Sequence, residues 1–201
     1  MGEGLMQTPM GQIPCAAIDF ESAGAAPGET DCPVQIGIVR VASLFSEQPE
    51  CFCSYIACDR PVRWSAAKVH GITNEVLQHA PVFSALWPEI KRLLSGSMVV
   101  GHNPATEMRF LSTFPGHGFS PWLDTLALAR KAIPGQDDYS LGSICRLCCL
   151  EPEIQALVPG KTWHDALYDA AASLLLLRFL VRELNMGLSS PAQIPFAVKL
   201  H

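Results

Sequence analysis

"VVGHNPATEMRFL", from Val99 to Leu111, decides how this chain is built. It opens as an apolar strand, turns at the polar "HNP", and enters a helix near Ala105. Upstream, "CAAIDF", "VQIGIVRVAS" and "ECFCSYIA" have the composition of three strands in a meander, with the Gly/Pro-punctuated loop "ESAGAAPGETDCP" after the first. Downstream, strands alternate with helices. "WSAAKVHGITNEVLQHAP" gives two short helical turns broken at Gly71, and "VFSALWPEIKRLL" a helix kinked at Pro88. "WLDTLALARKAI" passes from a fifth short strand into a helix, "SLGSICRLCCL" is another, and "HDALYDAAASLLLLRFLVREL" is a long buried one. A meander followed by alternation predicts an α/β fold, a mixed five-stranded sheet flanked by helices. Sites in such folds gather at the carboxyl ends of strands, and two of those ends carry "IDFES" and "GHNP".

The bulk numbers narrow the function. With 49% hydrophobic and 16% charged residues in 201, the chain has material for one sizeable core. Residues 1–13 read as a flexible lead-in, 14–186 as the domain, and 187–201, with Pro191 and Pro195, as an arm over the surface. A formal net charge of −5 excludes a protein that coats nucleic acid by bulk electrostatics. An enzyme gripping a few phosphates stays open, because bound metal ions can supply the positive charge. The start lacks a basic n-region and an apolar h-region, and the run "AAASLLLLRFLV" is cut by Arg178 and too short to span a bilayer. No membrane association and a cytoplasmic location are expected. Among the eight cysteines, Cys51, Cys53 and Cys58 form one group and Cys145, Cys148 and Cys149 another. Buried core thiols are the reading, since neither group has the doubled C-x-x-C…C-x-x-C spacing that such sites favour; a structural zinc site is the alternative.

Acidic residues carry the chemistry. Asp19 and Glu21 form D-x-E at the end of the first strand, and the two-residue period puts both carboxylates on one face. Two like charges so close are tolerable mainly with a cation between them. Asp169 lies in the Ala/Leu-rich helix, five residues after His164, where a carboxylate needs a partner; Asp165 suits a helix start. Glu107, one turn into its helix, is either a solvated surface carboxylate or one corner of a metal site.

In this order, "AIDFES", "VVGHNPATEMRFL", "LDTLALARKAIPG" and "HDALYDAAASLL" resemble the motifs of the DEDDh branch of the DnaQ-like exonucleases. "VQIGIV", "VHGIT" and "YSLGSICRLCCLE" match between them, and the resemblance runs over about residues 14–184. It implies an RNase H-like fold and a 3′→5′ exonuclease. Such an enzyme hydrolyses single-stranded DNA or short oligonucleotides to nucleoside 5′-monophosphates with two ions, Mg²⁺ or Mn²⁺. Carried over, Asp19, Glu21, Glu107 and Asp169 would be metal ligands and His164 the general base. Ser22, Ala23, His70 and Asn103 would line the substrate, Asn103 by ordering the second-motif turn. Relatives of this kind dimerise or work with a polymerase, so both partners are open alongside single-stranded nucleic acid. One departure stands out: the family's second motif usually reads H-N-x-x-F-D, and this chain reads "HNPATE". The longer Glu107 keeps the charge and the ligand type but moves the carboxylate by one methylene, which implies altered metal preference, with Mn²⁺ favoured. The alternative is a catalytically weak or inactive module that keeps the exonuclease fold and binds nucleic acid.

Substrate contacts beyond these are less legible. Arg60, Arg63 and Lys68 around Trp64 suit a phosphate and a stacked base, or are a solvated loop whose Trp packs inward. Lys161 and Trp163 would gate the mouth of the site or cap it.

Overall fold

A computed structural model describes residues 2–26, 28–187, 189–193 and 197–198. Its centre is one sheet in the order β3-β2-β1-β4-β5-β6. Strands β1 (Cys15–Ser22), β2 (Pro33–Val41) and β3 (Glu50–Tyr55) form the antiparallel meander; β4 (Met98–Gly101) and β5 (Trp122–Asp124) run parallel to β1. These are the five expected strands. A two-residue β6 (Ala197–Val198) from the tail adds antiparallel to β5, so part of the expected arm extends the sheet. Its residues 188, 194–196 and 199–201, Pro195 included, lie outside the described ones.

Alternation along β1 sorts the two layers. Cys15 and Ala17 face the core that contains the long helix α9 (Ala166–Glu183), while Ala16, Ile18 and Phe20 face helices α4 (Phe83–Leu94) and α5 (Ala105–Leu111). Asp19 and Glu21 continue the first series, so the strand period sends both acids to α9's side. Thirteen of α9's eighteen residues are buried, Leu174, Leu176, Leu177 and Leu180 fully; each such leucine contributes about 2 kcal/mol of hydrophobic stabilisation. Arg178 interrupts that run without cost in satisfaction, because its guanidinium donates to the carbonyls of Leu44 and Ser46.

The helical stretch after β3 divides as expected into α2 (Trp64–His70) and α3 (Asn74–Leu77), with Gly71 in the left-handed conformation at the break. Pro88 sits inside α4. Helices α6 (Thr125–Ala132), α7 (Leu141–Leu147) and α8 (Glu151–Leu157) complete the path to α9; α8, with its Pro at the first turn, has too few apolar positions to stand out in the sequence.

Two expectations are corrected. The lead-in is not loose: it forms α1 (Gly2–Gln7) and a 3₁₀ turn, with Met6, Met10 and Ile13 buried. The amides of Met10 and Gly11 donate to the carbonyls of Ser189 and Gly187, tying it to the tail. The cysteines are not all core thiols. Cys15 and Cys145 are buried, but Cys51 and Cys149 are exposed, because β3 is an edge strand and Cys149 ends a helix at positive φ. Among the described residues, no helix is long and apolar enough to cross a membrane.

Candidate active site

Four carboxylates converge where β1 and β4 end. Asp19 and Glu21 come from β1; Glu107 comes from the first turn of α5, immediately beyond β4; Asp169 comes from the first turn of α9. Glu107 is buried, only 6% exposed, which rules out the solvated-surface reading. It reaches back to β1, where its carboxylate is favoured in charged form by its own backbone amide first and by that of Phe20 second. Asp169 is held in the same way by the backbone of His164. One of its oxygens, Oδ1, is buried with no hydrogen-bond partner.

Electrostatics show how tightly the acids are packed. Burial holds the Asp19 carboxyl well above its ordinary 3.8, and the charges of Asp169, Glu107, Glu21 and Asp165 raise it further. Glu21 is pushed up to about 8, by burial first and then by Asp169, Asp165 and Glu107. Burial likewise brings Glu107 and Asp169 to about 7, against the hydrogen bonds that favour their charged forms. Among the described residues no Lys or Arg is ion-paired with any of the four. Buried, mutually repelling carboxylates with an orphaned oxygen are a donor set for hard cations, and divalent ions fit it.

His164 completes the group. One of its ring nitrogens, a Glu21 oxygen and an Asp169 oxygen lie within 4.8 Å of one another. His164 is exposed and has φ 66°, a left-handed conformation that costs a non-glycine residue free energy and is concentrated at functional positions. Asn103, φ 60°, shares that conformation in the second-motif turn. Its amide donates to Asp124 Oδ1 at 2.9 Å, and Asp124 also caps α6 by accepting from Leu126 N at 2.8 Å. His102, its neighbour, bridges Thr125 Oγ1 and the Tyr139 carbonyl, at 3.0 and 2.8 Å. The turn is thus ordered largely from β5 and α6, by residues the sequence reading passed over.

The substrate-lining set separates. Ser22 sits at a register shift in the β1–β2 pair, and its carbonyl accepts from His70 Nε2 at 3.1 Å. His70 Nδ1 accepts from the Ile72 amide at 3.0 Å, so the two partners select one neutral tautomer, and burial lowers its pKa. Ala23 is corrected: it is fully buried against Val34, Val62, Ile72 and Leu77, because the chain turns inward after the shift. Its amide donates to the Cys32 carbonyl and its own carbonyl accepts from Arg63 N, which leaves it nothing to offer a ligand. Trp64 does not pack inward; it is 77% exposed, with Lys68 Nζ 5.2 Å from its ring centre. Lys161 and Trp163 are each engaged by neighbours within the chain. Lys161 pairs with Asp165 at 2.7 Å, and Trp163 bonds Glu151 and packs edge-on against Tyr168.

A β2 glutamine that no sequence motif marks holds the start of α9 in place. Gln35, 2% exposed, lies opposite Glu21 in β2. Its Oε1 accepts from Ala166 N at 3.0 Å and its Nε2 donates to Asp165 Oδ2 at 3.2 Å. With Asp165 Oδ1 capping Leu167 N, these bonds anchor the helix start that carries Asp169.

Residues 16–177 match the sequence profile of the Exonuclease family, RNase_T. A DNA polymerase III subunit epsilon-like protein of Rhodobacter capsulatus is 26% identical over 98% of this chain, which spans only 28% of that protein. The DNA polymerase III subunit epsilon of Rickettsia typhi is 26% identical over 77% of this chain and 68% of its own. Among solved structures, Exonuclease X in complex with 5′ overhanging duplex DNA superposes with a TM-score of 0.69 at 26% identity, covering 89% of this chain and 97% of that one. The nuclease domain of 3′hExo, a DEDDh family member bound to rAMP, has the same fold, with a TM-score of 0.66 at 15% identity over 89% and 95%.

Proposed function

The chain belongs to the exonuclease family that its residues 16–177 match, and on that premise we propose that it degrades single-stranded DNA or short oligonucleotides from the 3′ end. The products are nucleoside 5′-monophosphates. The observation that carries this reading is the convergence of Asp19, Glu21, Glu107 and Asp169, with an unpartnered buried oxygen on Asp169. These four residues would hold two divalent ions, Mg²⁺ or Mn²⁺. When bound, such ions would supply positive charge that acidifies water and favours departure of the 3′-oxygen.

The chain's own groups account for the rest. A ring nitrogen of His164, exposed at the mouth beside Glu21 and Asp169, accepts the proton of the attacking water. Asp169, bonded to the His164 backbone, keeps that ring beside the acids. Water forms the new P–O bond, the P–O3′ bond breaks, and the leaving oxygen takes a proton from solvent. The rAMP bound by 3′hExo is a nucleoside monophosphate of the kind released. The epsilon relatives support a polymerase as partner and a cytoplasmic setting.

The test is a time course on 5′-labelled single-stranded DNA and RNA of one sequence, in Mg²⁺, Mn²⁺ or EDTA, beside Asp19→Ala. A ladder shortening from the 3′ end, metal-dependent and lost in the variant, is expected. Binding without cleavage in either metal would instead favour a non-catalytic module.

A further inference from the structure

Away from the acids, the chain brings together two cysteines that are 26 positions apart by number (32 and 58). Cys32 Sγ, Cys58 Sγ and a carboxylate oxygen of Asp59 lie within 4.8 Å of one another. Cys32 ends the loop between β1 and β2, and Cys58 follows β3; the meander alone makes them neighbours. Both are half-buried against the small apolar cluster around Val34, Val62 and Leu77, while Asp59 is exposed. The Cys32 thiol donates to the adjacent Pro33 carbonyl, at 3.8 Å. We propose that Cys32, Cys58 and Asp59 form a binding site for a thiophilic divalent cation of the zinc class.

The donor set favours this occupant. Two sulfurs and one oxygen suit Zn²⁺, whose bonds of about 2.3 Å to sulfur and about 2.0–2.2 Å to oxygen place tetrahedral ligands within the observed separations. Hard ions such as Mg²⁺ prefer the all-oxygen cluster at the end of β1. Three protein ligands leave a fourth position for water. An open hollow of about 410 Å³, lined by Cys58, Asp59, Arg60, Asn74 and others, adjoins the site and admits it. The ion displaces both thiol protons, so binding acidifies the solution and weakens as pH falls. The Asp59 carboxylate is loosely engaged, 3.9 Å from Arg60 Nε, and so is free to turn.

The site also has a lever on its surroundings. The Cys32 carbonyl accepts from the Ala23 amide, and the Ala23 carbonyl accepts from Arg63 N. An ion joining Cys32 to Cys58 therefore braces the segment that follows Ser22. That tie holds whatever reaction the acids perform.

Cobalt(II) is the probe, because thiolate–cobalt charge-transfer absorption in the near ultraviolet reports sulfur ligation and carboxylate-only sites lack it. The full chain, reduced and freed of metal, is titrated with cobalt and then with zinc as competitor. One equivalent with a thiolate band, bleached by one equivalent of zinc, is expected. Cys32→Ser and Cys58→Ser should abolish the band, Cys149→Ser should keep it, and Asp59→Asn should weaken binding at least about tenfold. Asp19→Ala, which removes a ligand of the acidic cluster, should leave it intact. A missing band, or one that survives Cys32→Ser, overturns the proposal. So does a Cys32–Cys58 disulfide, seen by mass spectrometry, in protein that takes up no cobalt once reduced.

Discussion

Gly37 of β2 pairs directly with Asp19 of β1, and the side chain it lacks leaves the space that the backbone of Ala166 and Leu167 occupies. A Cβ at this position would lie 2.2 Å from Leu167 N and 2.3 Å from the Ala166 carbonyl oxygen. The start of α9 thus presses on the sheet at the acid it must face, and Asp169 is delivered to Asp19 by a missing methyl group. Gly37→Ala should therefore do more than overpack. The obstacle is backbone rather than a rotatable side chain, so a loss of about 3 kcal/mol, at the upper end for such insertions, is expected. Urea denaturation measures it, and calorimetry should show divalent-ion affinity falling too, as Asp169 is displaced. An unchanged midpoint would mean that α9 seats itself by other means.

Gln35 and Lys161 both contact Asp165, yet their removal should differ sharply. Gln35→Leu leaves the Ala166 amide buried without an acceptor, a cost of about 1–3 kcal/mol. Lys161→Ala removes an ion pair whose lysine side chain is 34% exposed, and such pairs are worth about 0–1 kcal/mol. Comparing the two unfolding midpoints decides whether the buried amide or the visible salt bridge anchors the helix. Equal losses would refute this ordering.

The same contrast explains what could be seen in the sequence. Asp19 and Glu21 declare themselves because the strand period forces them onto one face, and Asp169 because a carboxylate among Ala and Leu has no ordinary reason to be there. Those signals are local. Gln35, Asp124 and the Cys32–Cys58 pair are ordinary residues whose meaning lies in partners tens of residues away, which no periodicity encodes. Ala23 shows the reverse failure. Its place after the first motif suggests a ligand contact, but the register shift at Glu21 and Ser22 turns it into the core.

The acids give metal-free protein an inverted pH dependence. Glu21 rises from 4.5 to about 8, Glu107 from 4.5 to about 7 and Asp169 from 3.8 to about 7 on folding. Between the unfolded and folded values the native state binds more protons, so stability falls as pH rises. This contribution is complete below about pH 4 and lost by about pH 8. Thermal midpoints in EDTA should decline across that window, whereas saturating Mn²⁺ should flatten or reverse the decline, because the ion replaces the protons. A flat profile in EDTA would show that the carboxylates are not crowded in solution.

His164→Ala separates proton transfer from ion binding. If the imidazole accepts the proton of water, kcat should fall by about 10²–10⁴ with KM little changed. The four carboxylates remain, so calorimetric affinity for Mn²⁺ should change little. Loss of ion binding in the variant would make His164 a ligand instead.

Glu107→Asp tests the residue that departs from the usual motif. Glu107 is buried and bonded to the Phe20 amide, so its longer arm is fitted to this pocket rather than free to adjust. Mg²⁺ demands near-ideal octahedral geometry, and a carboxylate advanced by one methylene should handicap it more than Mn²⁺. The original chain should then work faster with Mn²⁺. Shortening the arm should raise the ratio of Mg²⁺ to Mn²⁺ rates by about tenfold, the scale on which ligand surroundings tune a metal site. The removed methylene also leaves a small buried gap that costs about 1 kcal/mol, read independently from the urea midpoint. A variant destabilised by that amount with the rate ratio unmoved would show that Glu107 fills space beside the acids without setting which ion they prefer.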